Sequence, residues 1–126
     1  MVRRIIAGRR VGDLEAAVLQ QLWNEPQPVT GRELLERLAR PSLGYTTLMT
    51  VLKRLVDKQL VERVSEGRSI RYRAAGDLDE LTAQAIEGLL SSAQDRQAVL
   101  AHLIESVDDP ALVAELRAVL DRTDRP

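Results

Sequence analysis

Residues 45–55 read YTTLMTVLKRL, and the two sides of that stretch have different chemistries. At about 100° per residue, Leu48, Val51, Leu52 and Leu55 gather on one side of a helix. Opposite them stand Thr46, Thr50, Lys53 and Asp57, flanked by Thr47, Met49 and Arg54. An ordinary solvent face favours Glu, Lys, Gln or Ala, because β-branched threonine gives up χ1 freedom in a helix. Thr46, Thr47 and Thr50 therefore answer to something other than helix stability. Threonine offers a hydroxyl and a methyl, which suit the base edges and thymine methyls of a DNA major groove.

The flanking sequence tests that idea. Upstream, Asp13 is placed to cap a helix that buries Leu14, Ala17, Val18 and Leu22, with Trp23 extending the face. The prolines of NEPQP (24–28) stop it. Thr30 and Glu33 then have the spacing of a reciprocal capping box, and Val29 with Leu34 that of a hydrophobic staple. A second helix follows from about Gly31 to Ala39, burying Leu34, Leu35 and Leu38, and Pro41 and Gly44 separate it from the third. Downstream, in LVERVSEGRSIRYRA (60–74), Val61–Val64 and Ile70–Arg73 read as strands around a Glu66-Gly67-Arg68 tip. Ile70 and Tyr72 share one face of the second strand, leaving Arg71 and Arg73 on the other. Three helices and a basic hairpin in this order predict a winged helix, an elaborated helix-turn-helix.

Charge divides the chain in the same place. Residues 1–74 carry 14 Lys and Arg against 8 Asp and Glu, and residues 75–126 carry 4 against 11, so a net charge of −1 conceals +6 and −7. A basic segment implies an anionic partner and leaves the acidic one a different task. Double-stranded DNA fits: Thr46, Thr47 and Thr50 face bases from the first turns, where a recognition helix enters deepest, while Met49 suits either the edge of the core or an apolar contact to a thymine methyl. Lys53 and Arg54 suit phosphates or guanine edges, and Arg68, Arg71 and Arg73 suit the flanking backbone or minor groove. Arg3, Arg4, Arg9 and Arg10 form a loose basic arm for phosphates. Asp57 lies near the azimuth of Thr46 but roughly 16 Å further along the axis, clear of the groove.

Residues 75–126 are helical by pattern. One segment begins at Asp77 or Asp79 and carries Leu81, Ala85, Ile86, Leu89 and Leu90, ending near Ser91-Ser92. A second, from about Asp95 to Val107, carries Val99, Leu100, Leu103, Ile104 and Val107. A third, capped by Asp109 with Pro110 at its first position, carries Leu112, Val113, Leu116, Val119 and Leu120. Three short helices are marginal alone, so pairing with a second copy through Leu89, Leu100, Leu103, Ile104, Leu112, Leu116 and Leu120 is expected. The predicted class is mainly α: a winged helix over 1–74, then a helical dimerisation domain over 75–126.

Other classes find no foothold. There is no cysteine, hence no disulfide or thiolate metal site. His102, the single histidine, falls off its helix's apolar face and has no second ligand at metal spacing. The seven glycines form no phosphate loop, and no nucleophile–base set appears, so neither enzyme activity nor a cofactor is expected. No apolar run approaches the roughly 18–20 residues of a membrane span, and Ile5-Ile6-Ala7 is too short for a signal core; a cytoplasmic protein without membrane insertion is expected. Two rivals remain. A small-molecule-responsive regulator would want an aromatic-lined pocket, against an aromatic content of 2%. A winged helix used as a protein-interaction module would want an apolar or acidic outer face on its third helix.

GDLEAAVLQQLW (12–23), TGRELLERL (30–38) and GYTTLMTVLKRLVDKQLVERVSEGRSIRYRA (44–74) together resemble the penicillinase-repressor (BlaI/MecI) family over roughly residues 10–122. The resemblance implies a homodimeric repressor acting on promoter inverted repeats, commonly built on TACA and TGTA elements, in antibiotic-resistance or stress regulation. It implies recognition-helix contacts at Thr46, Thr47, Met49, Thr50 and Arg54 and wing contacts near Arg68 and Arg71. It also implies release by proteolysis, through a membrane sensor-protease or a downstream protease. Staphylococcal members are cut at an Asn-Phe bond in the second C-terminal helix; here the corresponding pair is His102-Leu103, and the chain has no phenylalanine. The cysteine cluster of copper-responsive relatives is also missing.

Overall fold

The computed structural model describes residues 4–123. Strands β1 (Arg4–Ile6) and β2 (Arg9–Val11) form an antiparallel hairpin pairing Ile5 with Arg10 and Ile6 with Arg9. The segment expected to be a loose arm is thus ordered from Arg4 onward, while Arg3 lies outside the described residues. The reason is its turn: Ala7 and Gly8 both have positive φ, 51° and 76°, as a two-residue type I′ hairpin loop requires. Ala7 and Val11 are buried and anchor the hairpin in the core.

Helix α1 (Asp13–Asn24) follows, its N-cap at Gly12 rather than Asp13, which instead places a carboxylate in the first turn. Val18, Leu19 and Leu22 form its buried stripe. Val29–Thr30 is a short strand, β3, absent from the sequence reading. Helix α2 (Gly31–Leu38) begins with the expected capping box: Thr30 Oγ1 accepts from the Glu33 N–H at 3.1 Å, and Glu33 Oε1 accepts from the Thr30 N–H at 3.2 Å. It ends one residue early because Ala39 turns left-handed, with φ of 50°. Helix α3 (Tyr45–Asp57) buries Leu48, Val51, Leu52 and Leu55, the four apolar positions read from the sequence. Truncating one of these to alanine is worth about 2–5 kcal/mol of stability.

The exit from α3 sets the wing. Lys58 caps the helix, Gln59 adopts φ of 64°, and the Leu60 N–H donates to Leu55 O at 3.0 Å while the Gln59 N–H donates to Val56 O at 2.9 Å. These are the two bonds of a Schellman motif, with buried Leu60 and Leu55 as its apolar contact. Strands β4 (Val61–Glu66) and β5 (Ser69–Ala74) then pair in register from Val61–Ala74 to Glu66–Ser69. Both run longer than expected, so the tip shrinks to Gly67-Arg68. Gly67, at φ of 60°, takes the first loop position, where a type II′ turn needs glycine. Tyr72 is buried beneath β5, and β3 pairs with β5 through Val29–Tyr72 and Thr30–Arg71, giving the sheet order β3-β5-β4.

Helix α4 (Leu78–Ser91) opens with another reciprocal cap, the Glu80 N–H donating to Asp77 Oδ1 at 2.8 Å. The chain divides into two compact units after Ile86, later than the Ala74 boundary drawn from composition. Leu81 belongs to the first core, and the Trp23 indole N–H donates to the Gly76 carbonyl at 2.9 Å. The second unit holds α5 (Arg96–Ser106), capped by Asp95, and α6 (Pro110–Thr123), capped by Asp109. Leu89, Leu100, Leu103, Ile104, Leu112, Leu116 and Leu120 are all exposed. No helix among the described residues is long and apolar enough to cross a membrane.

Candidate nucleic-acid interface

Helices α2 and α3 cross closely at Gly31, where a Cβ would lie 3.0 Å from Met49 Sδ and 3.3 Å from the Tyr45 ring. Any larger residue there would make the Met49 and Tyr45 side chains give way by a few tenths of an ångström, so glycine favours the close approach of α3 to α2. Thr46, Thr47, Thr50, Lys53 and Arg54 are exposed, as is Asp57 at the helix's far end, and Met49 is half-buried. Met49 therefore serves the α2 contact while part of its thioether stays accessible. The Thr50 hydroxyl donates to the Thr46 carbonyl at 3.1 Å, which satisfies its proton within the helix. What Thr50 turns outward is a methyl group and oxygen lone pairs.

Tyr45, at the first position of α3, has the Arg32 guanidinium over its ring at 4.9 Å from the centroid, a distance suited to cation–π attraction. Arg32 is exposed and was missed by the sequence reading. A cation in the first turn of a helix opposes the macrodipole, so Arg32 does nothing for the stability of α2 by its charge.

Three arginines of the wing singled out from the sequence are in three different situations. Arg68, at the turn, is exposed and has no carboxylate partner among the described residues. Arg73 is exposed and cross-strand paired, its Nε 2.9 Å from Glu62 Oε2. Arg71 is half-buried and points its Nη1 at Glu33 Oε1, 3.0 Å away. Around Glu33, the Thr30 N–H and then the Thr30 hydroxyl hold the carboxyl below its ordinary value, against partial desolvation, with Arg71 and Arg37 adding smaller pulls. Arg9 and Arg10 are exposed on β2, and the Arg10 carbonyl accepts from Lys58 Nζ at 2.9 Å. Lys58 also pairs with the buried Glu15 carboxylate at 2.6 Å, tying the hairpin, α1 and the end of α3 together.

His102 and Leu103 are exposed on α5. No group of three or more His, Cys, Asp or Glu able to hold a metal occurs among the described residues. An open groove of about 530 Å3 beside β4 has a mixed lining that includes Val56, Gln59, Glu62, Arg63 and Gln84, without the aromatic walls of a typical small-molecule site.

A helix-turn-helix with a β-hairpin wing, its third helix apolar beneath and threonine-rich and basic above, defines a winged-helix transcriptional regulator. The chain belongs to the penicillinase repressor family, whose sequence profile matches residues 11–122. It is 42% identical over 116 residues to the transcriptional regulator BlaI of Mycobacterium tuberculosis, in strains CDC 1551 / Oshkosh and H37Rv alike, covering 89% of this chain and 84% of each relative. Among solved structures it resembles a MarR family protein from Bacillus stearothermophilus (24% identity, 90% of this chain and 73% of that one, TM-score 0.48). A DNA-bound mutant of Staphylococcus aureus MepR matches at 14% identity over 90% of this chain and 77% of that one, with a TM-score of 0.49.

Proposed function

We propose that this protein is a homodimeric cytoplasmic repressor in which α3 of each subunit reads one half of an inverted-repeat operator and the β4–β5 wing holds the adjacent backbone. The observation that carries this reading is the division of α3, with Leu48, Val51, Leu52 and Leu55 buried and Thr46, Thr47, Thr50, Lys53 and Arg54 exposed. Thr46, Thr47, Met49 and Thr50 contact base edges and thymine methyls; Lys53, Arg54, Arg68 and Arg32 contact phosphates, with Arg9 and Arg10 on the N-terminal hairpin, and Arg73 once it leaves Glu62, as outer contacts. Two copies related by a twofold axis fit half-sites one helical turn apart, about 10 bp, or a multiple of it.

Exposed apolar residues on α4, α5 and α6 support the dimer. Leu89 is 73% exposed, Ile104 54% and Leu103 53%, and soluble monomers rarely leave such sets uncovered. Membership of the family supports a role in regulating resistance or envelope-stress genes, with proteolysis as the proposed route of release. The His102–Leu103 bond of α5 is the candidate cleavage position.

The test is a gel shift with the DNA upstream of the protein's own gene in the presence of mixed-sequence competitor. A competitor-resistant complex of dimer stoichiometry supports the reading. Binding that competitor abolishes leaves a non-specific basic surface, and absence of binding at low salt refutes DNA recognition.

A further inference from the structure

The backbone link between the wing and the helix-turn-helix is short. Apart from the turn after α3, it consists of β3 against β5, two paired positions, Val29–Tyr72 and Thr30–Arg71. At the second of these the Arg71 side chain spans the junction. Its Nη1 lies 3.0 Å from Glu33 Oε1 and donates to the Pro28 carbonyl at 3.4 Å, while its Nε lies 3.7 Å from Glu66 Oε2. One guanidinium therefore joins the chain entering α2, the capping box of α2 and the wing near its tip. The Glu33 oxygen it meets is the one that accepts the Thr30 N–H, so the contact builds on a group already fixed by the helix cap.

Such a guanidinium is poorly disposed to bind phosphate. Its donors face two carboxylates and a carbonyl, and a phosphate approaching it would meet the negative charge of Glu33 and Glu66 as well. Arg68, at the turn, has no such partners among the described residues. Resting on the DNA-binding reading above, we propose that Arg71 is a positioning residue: held by Glu33, Pro28 and Glu66, it fixes the wing against the α2–α3 pair and raises operator affinity without touching DNA. The phosphate contact at the wing then falls to Arg68.

Counterion release separates the two roles, because each neutralised phosphate adds about 0.9 to the slope of log K against log salt. The full-length protein and its Arg71→Ala, Arg71→Lys, Glu33→Gln and Arg68→Ala variants are titrated onto the same upstream DNA fragment at 50–200 mM salt. Glu33→Gln preserves side-chain shape and so remains folded for comparison. Expected is a two- to fivefold loss of affinity for Arg71→Ala, about the size of a partly exposed ion pair, with the slope unchanged. Glu33→Gln loses a similar factor, the double variant loses no more than either single one, and Arg71→Lys recovers part of the loss. Arg68→Ala flattens the slope by about 0.9 per subunit.

A flattened slope for Arg71→Ala, or tighter binding by Glu33→Gln, makes Arg71 a direct phosphate contact and overturns the proposal. Unchanged affinity for Arg71→Ala overturns it equally. If the unaltered protein fails to bind the fragment, the DNA-binding reading falls and takes the proposal with it, an outcome visible before any variant is compared.

Discussion

The steepness of the salt dependence is the sharpest quantitative consequence of the proposed interface. Lys53 and Arg54 on α3, Arg68 at the wing and Arg32 over Tyr45 carry no carboxylate partner among the described residues. Each is free to neutralise one phosphate at no cost in broken ion pairs, which makes four per subunit and eight in a dimer. Eight contacts give a slope of roughly −7 in log K against log salt, so raising salt from 50 to 200 mM weakens binding by about 10⁴-fold. Fluorescence anisotropy of a labelled operator fragment across that range measures it directly. Engagement of one subunit's set alone gives a slope of roughly −3.6 and a loss of about 10²-fold, well separated from the dimer value. A slope near zero refutes the phosphate-contact argument altogether. A value steeper than about −9 shows that Arg9, Arg10 or Arg73 also engages, with Arg73 leaving Glu62 to do so.

At Thr50, whose hydroxyl proton is spent on Thr46, Thr50→Val keeps the outward methyl and should retain operator affinity. Thr50→Ala should lose about 1 kcal/mol against the operator and little against mixed-sequence DNA; equal losses from both variants would assign the contact to the oxygen instead. Leu112→Asp or Leu116→Asp should yield monomers in sedimentation, and intact dimers would move the interface off α6. Gln59→Gly should raise stability to urea by about 0.5–1 kcal/mol, because the left-handed position that closes α3 suits glycine. The folded-state pKa of Glu33 lies below its ordinary value of 4.5. Its carboxylate therefore stabilises the fold above that value, and the contribution disappears as pH falls through the lower folded value. Glu33→Gln should accordingly flatten the stability curve below about pH 4.5 and change its shape little above.

What could be read in the sequence was whatever a local spacing encodes. The two sides of α3 follow from the 3.6-residue period, because burial and exposure alternate with it. The Thr30–Glu33 box and the Asp109 cap follow from side chains a few residues from the groups they bind. The N-terminal hairpin escaped because its turn places alanine, not asparagine or glycine, at the first left-handed position, Ala7. Strand β3 escaped for another reason: two residues have no periodicity, and Val29–Thr30 becomes a strand only when β5 lies alongside. Arg71 shows the limit most plainly. Alternation correctly put it opposite Ile70 and Tyr72, but its partner Glu33 is 38 residues away in sequence, and no local rule links them.

These long-range ties explain how a small regulator could hold two separate elements to one DNA surface. The wing springs from α3 through the Schellman turn at Lys58–Leu60, which fixes where β4 begins. It returns to α2 through β5, where Thr30 pairs with Arg71 and Glu33 receives the guanidinium. Helix and wing are thus joined at both ends of the hairpin's base, with Lys58 securing the first junction to α1 through Glu15. A rigid pairing loses less conformational entropy when it meets DNA, so more of each contact remains as affinity. The acidic segment beyond Ala74, with its balance of −7, is repelled by the same phosphates that attract α3. Its exposed leucines are therefore better suited to pairing with another protein surface than to approaching the duplex, which is the role the proposed dimer assigns them.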